Sequence, residues 1–165
     1  MEVFFNDLKR QFILNFIEKD RWKLMVNGLE NTLKITIVAA LIGIVIGILL
    51  ASIRSTYDKQ YETLKKHKGV KYYVLSFLNF IAQVYLTVIR GTPVVVQLLI
   101  AFFIIFASAK NGVTIAMLAF GINSGAYVAE IFRGGIMAID NGQFEAGYSL
   151  GFNYFQTMIF IVIPQ

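Results

Sequence analysis

Few side chains in this 165-residue sequence could do chemistry, and their types and neighbours decide which kind. Ser124, beside Gly125, is the candidate nucleophile, and a serine needs a base within hydrogen-bond reach. The single histidine, His67, belongs to a hydrophilic segment, whereas Ser124 lies in the middle of an apolar run, so no Ser-His dyad forms. The absence of cysteine removes thiolate metal sites and disulfides, and one histidine cannot hold zinc alone. No G-x-x-x-x-G-K-[ST] loop is present to cradle nucleotide phosphates. The sequence therefore offers no catalytic residue, no metal site and no cofactor site. What remains is a set of polar groups on one apolar stretch: Asn123, Ser124, Tyr127 and Glu130. Polar side chains at membrane mid-depth are costly in lipid, so they face other helices or a water-filled path. Either they hydrogen-bond between helices, or they line a route for a polar solute. Glu130 and Arg133, three apart, can pair across one helical turn, as a gate, a substrate contact or an interfacial ion pair.

The elements that must position these groups are membrane helices. With 57% hydrophobic and only 15% charged residues, the chain departs from soluble domains, in which charged residues run near ~25%. Ile35–Ile53 is nineteen residues without a charge, enough to cross a ~30 Å hydrocarbon core at ~1.5 Å per residue. Ala39, Gly43, Gly47 and Ala51 fall four apart on it and predict a packed helix interface, and Gly121, Gly125 and Ala129 form a second small-residue stripe. Residues 1–34 carry Phe5, Leu8, Phe12 and Phe16 at helical spacing between charges, as in an amphipathic segment on the membrane surface, with no signal-peptide pattern. Arg54–Lys71 reads as a hydrophilic loop with six Lys or Arg, placed in the cytoplasm by the positive-inside rule, which leaves the N-terminus external. Lys19, Arg21, Lys23 and Lys34 flank the other end of the same span. The net charge of +5 fits anionic lipid headgroups; it sits beside apolar runs rather than along an aromatic-studded groove, so nucleic acid is not the partner.

Tyr72–Ala109 contains one charge, Arg90, and is too long for one crossing. Two crossings would put the segment after residue 140 outside the cell. The expectation is an interfacial helix to about Ile89 and a span over about 92–108, with a third span over about 113–131 after a tight turn at Lys110–Gly112. The expected fold is all-α: a polytopic transmembrane protein with three spans and, over 140–165, a cytoplasmic helical hairpin.

That hairpin carries the most specific pattern. Asp140 with Gln143, and Asn153 with Gln156, can cap two short helices reciprocally. Gly151 can end the first helix by taking positive φ, and Pro164 limits the second. Glu145, Ala146, Gly151, Ile161 and Pro164 stand at the spacing of the EAA motif and so resemble the cytoplasmic loop of bacterial ABC-importer permeases. Gly147 stands where that family usually has alanine, which should loosen the helix by roughly 1 kcal/mol, and Ile163 replaces a leucine. Arg90–Pro93 (RGTP) and Asn123–Ile136 (NSGAYVAEIFRGGI) narrow the resemblance to the polar amino acid branch, of histidine, glutamine and arginine type, over Trp22–Gln165.

The resemblance implies a multi-pass permease subunit of a bacterial inner membrane. Residues 35–165 would be part of its transmembrane domain, and the chain would be a C-terminally truncated form. Its partners would be a separate ABC ATPase, a second permease subunit (the same chain or a sister), an external substrate-binding protein, an amino acid and the lipid bilayer. ATPase docking would fall to Glu145, Ala146, Gly147, Gly151, Ile161 and Pro164, and the substrate pathway to Asn123, Ser124, Tyr127 and Glu130. Phe155, Met158, Ile159 and Val162 would anchor the hairpin. The alternative is a non-transporting membrane scaffold or an inactive truncated permease.

Overall fold

The computed structural model describes residues 2–18, 20–66 and 69–165. His67, set aside above as a base, and Lys19 and Lys68, counted among the basic flanks, lie outside the described residues. The elements are α1 (Glu2–Phe12), a π turn (Ile13–Glu18), α2 (Trp22–Lys66), α3 (Val70–Gly91), α4 (Val94–Ile100) continued by a π stretch (Ala101–Ile105), α5 (Gly112–Ala138), α6 (Asn141–Ser149), and α7 (Tyr154–Thr157) continued by a π turn (Met158–Val162). No strand occurs among the described residues. The fold is all-α and polytopic: Trp22–Glu62, Val70–Gly91 and Gly112–Ala138 are long and apolar enough to cross a bilayer, and Val94–Ile105 is a shorter apolar helix.

α2 and α5 form the spine. Ala39, Gly43, Gly47 and Ala51 are all buried, as the small-residue stripe predicts, and Ser55 extends the row by one more turn. A Cβ on Gly43 would stand 2.8 Å from Ser124 Cβ, and one on Gly47 would stand 2.6 Å from Val128 Cβ; in return Gly121 and Gly125 receive Ile42 and Ile46. Each helix thus inserts side chains, Ile42 and Ile46 from α2 and Ser124 and Val128 from α5, into the other's glycine gaps. Because Gly43 meets Ser124 and Gly47 meets Val128, four steps along one helix match four along the other, and the two run parallel. Parallel crossings require an odd number of crossings between them, consistent with a single one.

Three segments are arranged differently from the way the sequence alone suggests. Residues 54–66, read as a loop, continue α2 without a break, because the stretch is free of glycine and proline and rich in Lys, Glu and Gln, which favour helix. Hydrophilic composition marked exposure, not coil. Trp22 already begins α2, which runs unbroken through position 34. On length and apolarity α3, expected in the interface, meets the requirement for a crossing, whereas the expected span over 92–108 holds a helix of only twelve residues, Val94–Ile105, or ~18 Å.

The break between α3 and α4 has a local cause. Pro93 has no N–H, so the Ile89 carbonyl loses its helical donor. Gln97 Nε2 replaces it, donating to the Ile89 carbonyl at 2.8 Å and to Thr92 Oγ1 at 2.7 Å. α5 starts on Asn111, whose side chain accepts from the amides of Val113 and Thr114, ending the expected turn at 110–112 with an N-cap.

Candidate functional site

The polar groups of α5 divide by depth along the helix. Asn123 Nδ2 donates to Gln97 Oε1 at 3.0 Å, which ties α5 to the broken α3–α4 element. Ser124 lies under Gly43 in the α2 seam. Asn123 thus hydrogen-bonds to a neighbouring helix, and Ser124 packs against one. The hydroxyl of Tyr85 donates to the Ile122 carbonyl at the same level. Tyr127 differs: it is 49% exposed and borders two cavities. One, of about 660 Å³, is lined by Thr32, Thr36, Ala39, Asn123 and Ser124 on the α2 side. The other, of about 560 Å³, is lined by Arg54, Gln83, Thr87, Arg90 and Glu130. Along α5 the cavity lining changes from uncharged to charged groups at Tyr127.

Glu130 and Arg133 do pair, at 3.4 Å, and the pair is part of a longer chain. Arg133 Nη1 also reaches Asp58 of α2 at 3.0 Å, and Glu130 Oε1 reaches Arg90 of α3 at 3.4 Å. Nearby, Arg54 donates to Asn79 of α3 at 3.2 Å. Three helices are thereby fixed by alternating charges where each carboxylate meets at least one guanidinium. The side chains are only about a quarter exposed except Arg90 at 44%, so removing one member leaves a poorly hydrated charge behind.

The hairpin follows α5 after Ile139. Asp140 Oδ1 accepts from the Gly142 amide at 2.6 Å, but Gln143 does not return the bond; its Oε1 accepts from Gln165. The second capping box is complete, with Asn153 and Gln156 each bonding the other's backbone amide at 2.9 Å. Gly151 has φ +82°, the left-handed value that ends α6 and reverses the chain. Glu145 and Ala146 are exposed, as is Pro164. Gly147 is turned inward instead: its Cβ position is 2.7 Å from Thr157 Cγ2 and 3.1 Å from Ile161 Cδ1. The expectation that glycine merely loosens this helix is thus incomplete, because alanine here would collide with Thr157. The face that packs is only partly the expected one, with Met158 and Val162 on it and Phe155 and Ile159 off it. Thr157 and Val162 are buried and Tyr154, Met158 and Ile161 half-buried, while Phe155 is 70% exposed and Ile159 41%. The packed set, Tyr154, Thr157, Met158, Ile161 and Val162, keeps three- and four-residue spacing but is shifted by one position from the expected one, because Tyr154 stacks on Phe144 and Thr157 meets Gly147 of α6.

The hairpin rests on the extension of α2 that reading 54–66 as a loop concealed. Lys59 Nζ donates to Asn141 Oδ1 at 2.7 Å and lies 4.6 Å from the centre of the Phe144 ring, which stacks on Tyr154. The Tyr154 hydroxyl is buried beside Thr56, and burial pushes its phenol pKa up. Asp58, Lys59 and Gln97 are the residues that sequence reasoning missed. Gln97 had a signal, a lone amide four residues after a proline within an apolar run; Asp58 and Lys59 had none once their segment was taken as a loop. No cluster of three potential metal ligands occurs among the described residues.

A membrane spine of two parallel glycine-seamed helices, a broken return helix and a capped helical hairpin at the far end of α5 defines a polytopic α-helical membrane component. The chain belongs to the family described as binding-protein-dependent transport system inner membrane component, whose pattern matches residues 43–165. It is 28% identical over 153 residues to the L-cystine transport system permease protein TcyB of Bacillus subtilis (strain 168), covering 92% of this chain and 58% of that protein. It is 41% identical over 91 residues to the glutamine transport system permease protein GlnP of Escherichia coli (strain K12), covering 52% and 41%. A crystal structure of an amino acid ABC transporter with histidines superimposes with TM-score 0.68 at 36% identity, over 88% of this chain and 61% of that one. The chain spans about half the length of the curated relatives it matches.

Proposed function

We propose that the chain forms part of the permease subunit of an ATP-driven amino acid importer in a bacterial inner membrane. The hairpin docks a separate ATPase, a second permease subunit completes the pathway, and an external binding protein delivers the amino acid. The observation that carries this reading is the hairpin itself. Its exposed Glu145 and Ala146, positive-φ Gly151 and complete second capping box stand at the spacing of a docking loop and are held rigidly against α2. Glu145, exposed on a short helix, is free to meet a partner's basic groups. The relatives' names, which specify glutamine and L-cystine transport, support an amino acid as the cargo.

Asn123, Ser124, Tyr127 and Glu130 form the pathway face of α5. Tyr127 stands at its centre, with Asn123 and Ser124 shaping the uncharged cavity and Glu130 the charged one. A zwitterion leaving water needs such partners to offset lost hydration.

Two variants of the complete transporter test the two halves of this reading. Glu145→Lys should reduce co-purification of the ATPase about tenfold, the equivalent of ~1.4 kcal/mol, with the permease still in the membrane. Tyr127→Ala should leave co-purification unchanged and lower uptake by a similar factor. Full ATPase recovery with Glu145→Lys would remove the docking role, and wild-type uptake kinetics with Tyr127→Ala would remove the pathway role.

A further inference from the structure

The hairpin has two attachments to the membrane helices, and only one is covalent. It follows α5 through Ile139, a residue with extended backbone (φ −69°, ψ 129°) and so a jointed connection rather than a continuous helix. The other attachment is lateral, to the extension of α2. There Lys59 bonds Asn141, the first residue of α6, at 2.7 Å and covers the Phe144 ring at 4.6 Å, while Asp58 one residue earlier holds Arg133 of α5 at 3.0 Å. Below these contacts Ser55 and Thr157 are both fully buried, and Tyr154 is wedged beside Thr56. α2 runs unbroken from this point back through Gly47 and Gly43, where glycine contacts too short for a Cβ fix it to α5.

We propose that Lys59 is a positioning residue that makes the α2 extension the rigid arm of the hairpin, so that movement of the hairpin is passed to the α2–α5 pair sideways, through α2, as well as along the jointed α5 connection. A single extended residue at 139 can flex about its φ and ψ. A lateral ammonium contact that engages both an amide oxygen and an aromatic face resists that flexing, because the cation–π contact fixes Phe144 while the hydrogen bond fixes the start of α6. The inference rests on the docking reading above, and its test separates the two.

The experiment uses the complete transporter reconstituted in vesicles, with Lys59→Met, which keeps the aliphatic stem and removes the charge. Three quantities are read: ATPase co-purification, basal ATP hydrolysis, and the amino acid taken up per ATP hydrolysed. The expected result is near-normal co-purification and basal hydrolysis with a several-fold fall in uptake per ATP. Lys59→Arg, which retains the charge and the stacking, should restore most of it. A merely structural role would lower all three quantities together and would not distinguish arginine from methionine. Uptake per ATP at the wild-type value in Lys59→Met overturns the inference. If that variant does not accumulate in the membrane, Asn141→Ala, which removes only the acceptor, carries the same expectation and the same refutation. Failure of the docking reading has a different signature, unchanged ATPase recovery in Glu145→Lys.

Discussion

Gly47→Leu is expected to prevent the protein from accumulating in the membrane, or to leave it so loosely packed that its thermal transition in detergent falls by many degrees. The Cβ of any other residue at 47 would lie 2.6 Å from Val128 Cβ and 3.0 Å from the backbone nitrogen of Ala129. A side chain could turn aside, but the α5 backbone cannot, so the helices must separate. Overpacking a close-packed interior typically costs ~1–3 kcal/mol, and here the separation propagates along Ala39, Gly43 and Ala51, which share the seam. Gly134→Leu is the control: nothing lies within 4 Å of its Cβ position, and it should behave almost as wild type. Equal behaviour of the two variants in thermal melts and membrane yield would show that the seam is not what holds α2 to α5.

The second large effect is expected in the hairpin, at Gly147. Gly147→Val would set two methyl groups against Thr157, whose Cγ2 and Oγ1 are already 2.7 Å from a bare Cβ, and so drive α6 from the second limb. At Gly151 the cause is different. Space there is open, and an L residue meets only the cost of left-handed backbone, ~1–2 kcal/mol. Gly147→Val should therefore abolish ATPase co-purification and expose the hairpin to limited proteolysis. Gly151→Arg should weaken co-purification and leave a protease-resistant fraction. The reverse order of severity would mean that the turn, not the contact between the limbs, holds the hairpin in shape.

Much of this was legible in residue types. Runs of uncharged residues long enough for a bilayer located α2 and α5, and four-residue spacing of small side chains located their contact, because both signals depend on the helix alone. The capping box at Asn153 and the reversal at Gly151 were readable for the same reason. The signal failed where tertiary contact decides. The stretch 54–66 looked like a loop because charge reports exposure, while its conformation depends on the absence of breakers and on a hairpin eighty residues away. The apolar face of the second limb was read one position off, because spacing alone does not say which side of a short helix meets α6. Gly147 was read through helix propensity alone, and its contact with Thr157 cannot be inferred from propensity.

The parallel pairing of α2 and α5 also bears on how the chain is made. Gly43 meets Ser124 and Gly47 meets Val128, some eighty residues later in synthesis. At roughly 5–20 residues per second, α2 would wait in the bilayer for about 4–16 s with its smooth glycine face lacking its final neighbour. Arg54 finds Asn79 much sooner, twenty-five positions on. The order of partnership is then α3 first, at the hairpin-facing end, and α5 last, along the whole length. A chain halted once α3 but not α5 has entered the bilayer would hold α2 and α3 joined, and would present the bare seam to whatever small-residue helix drifted past.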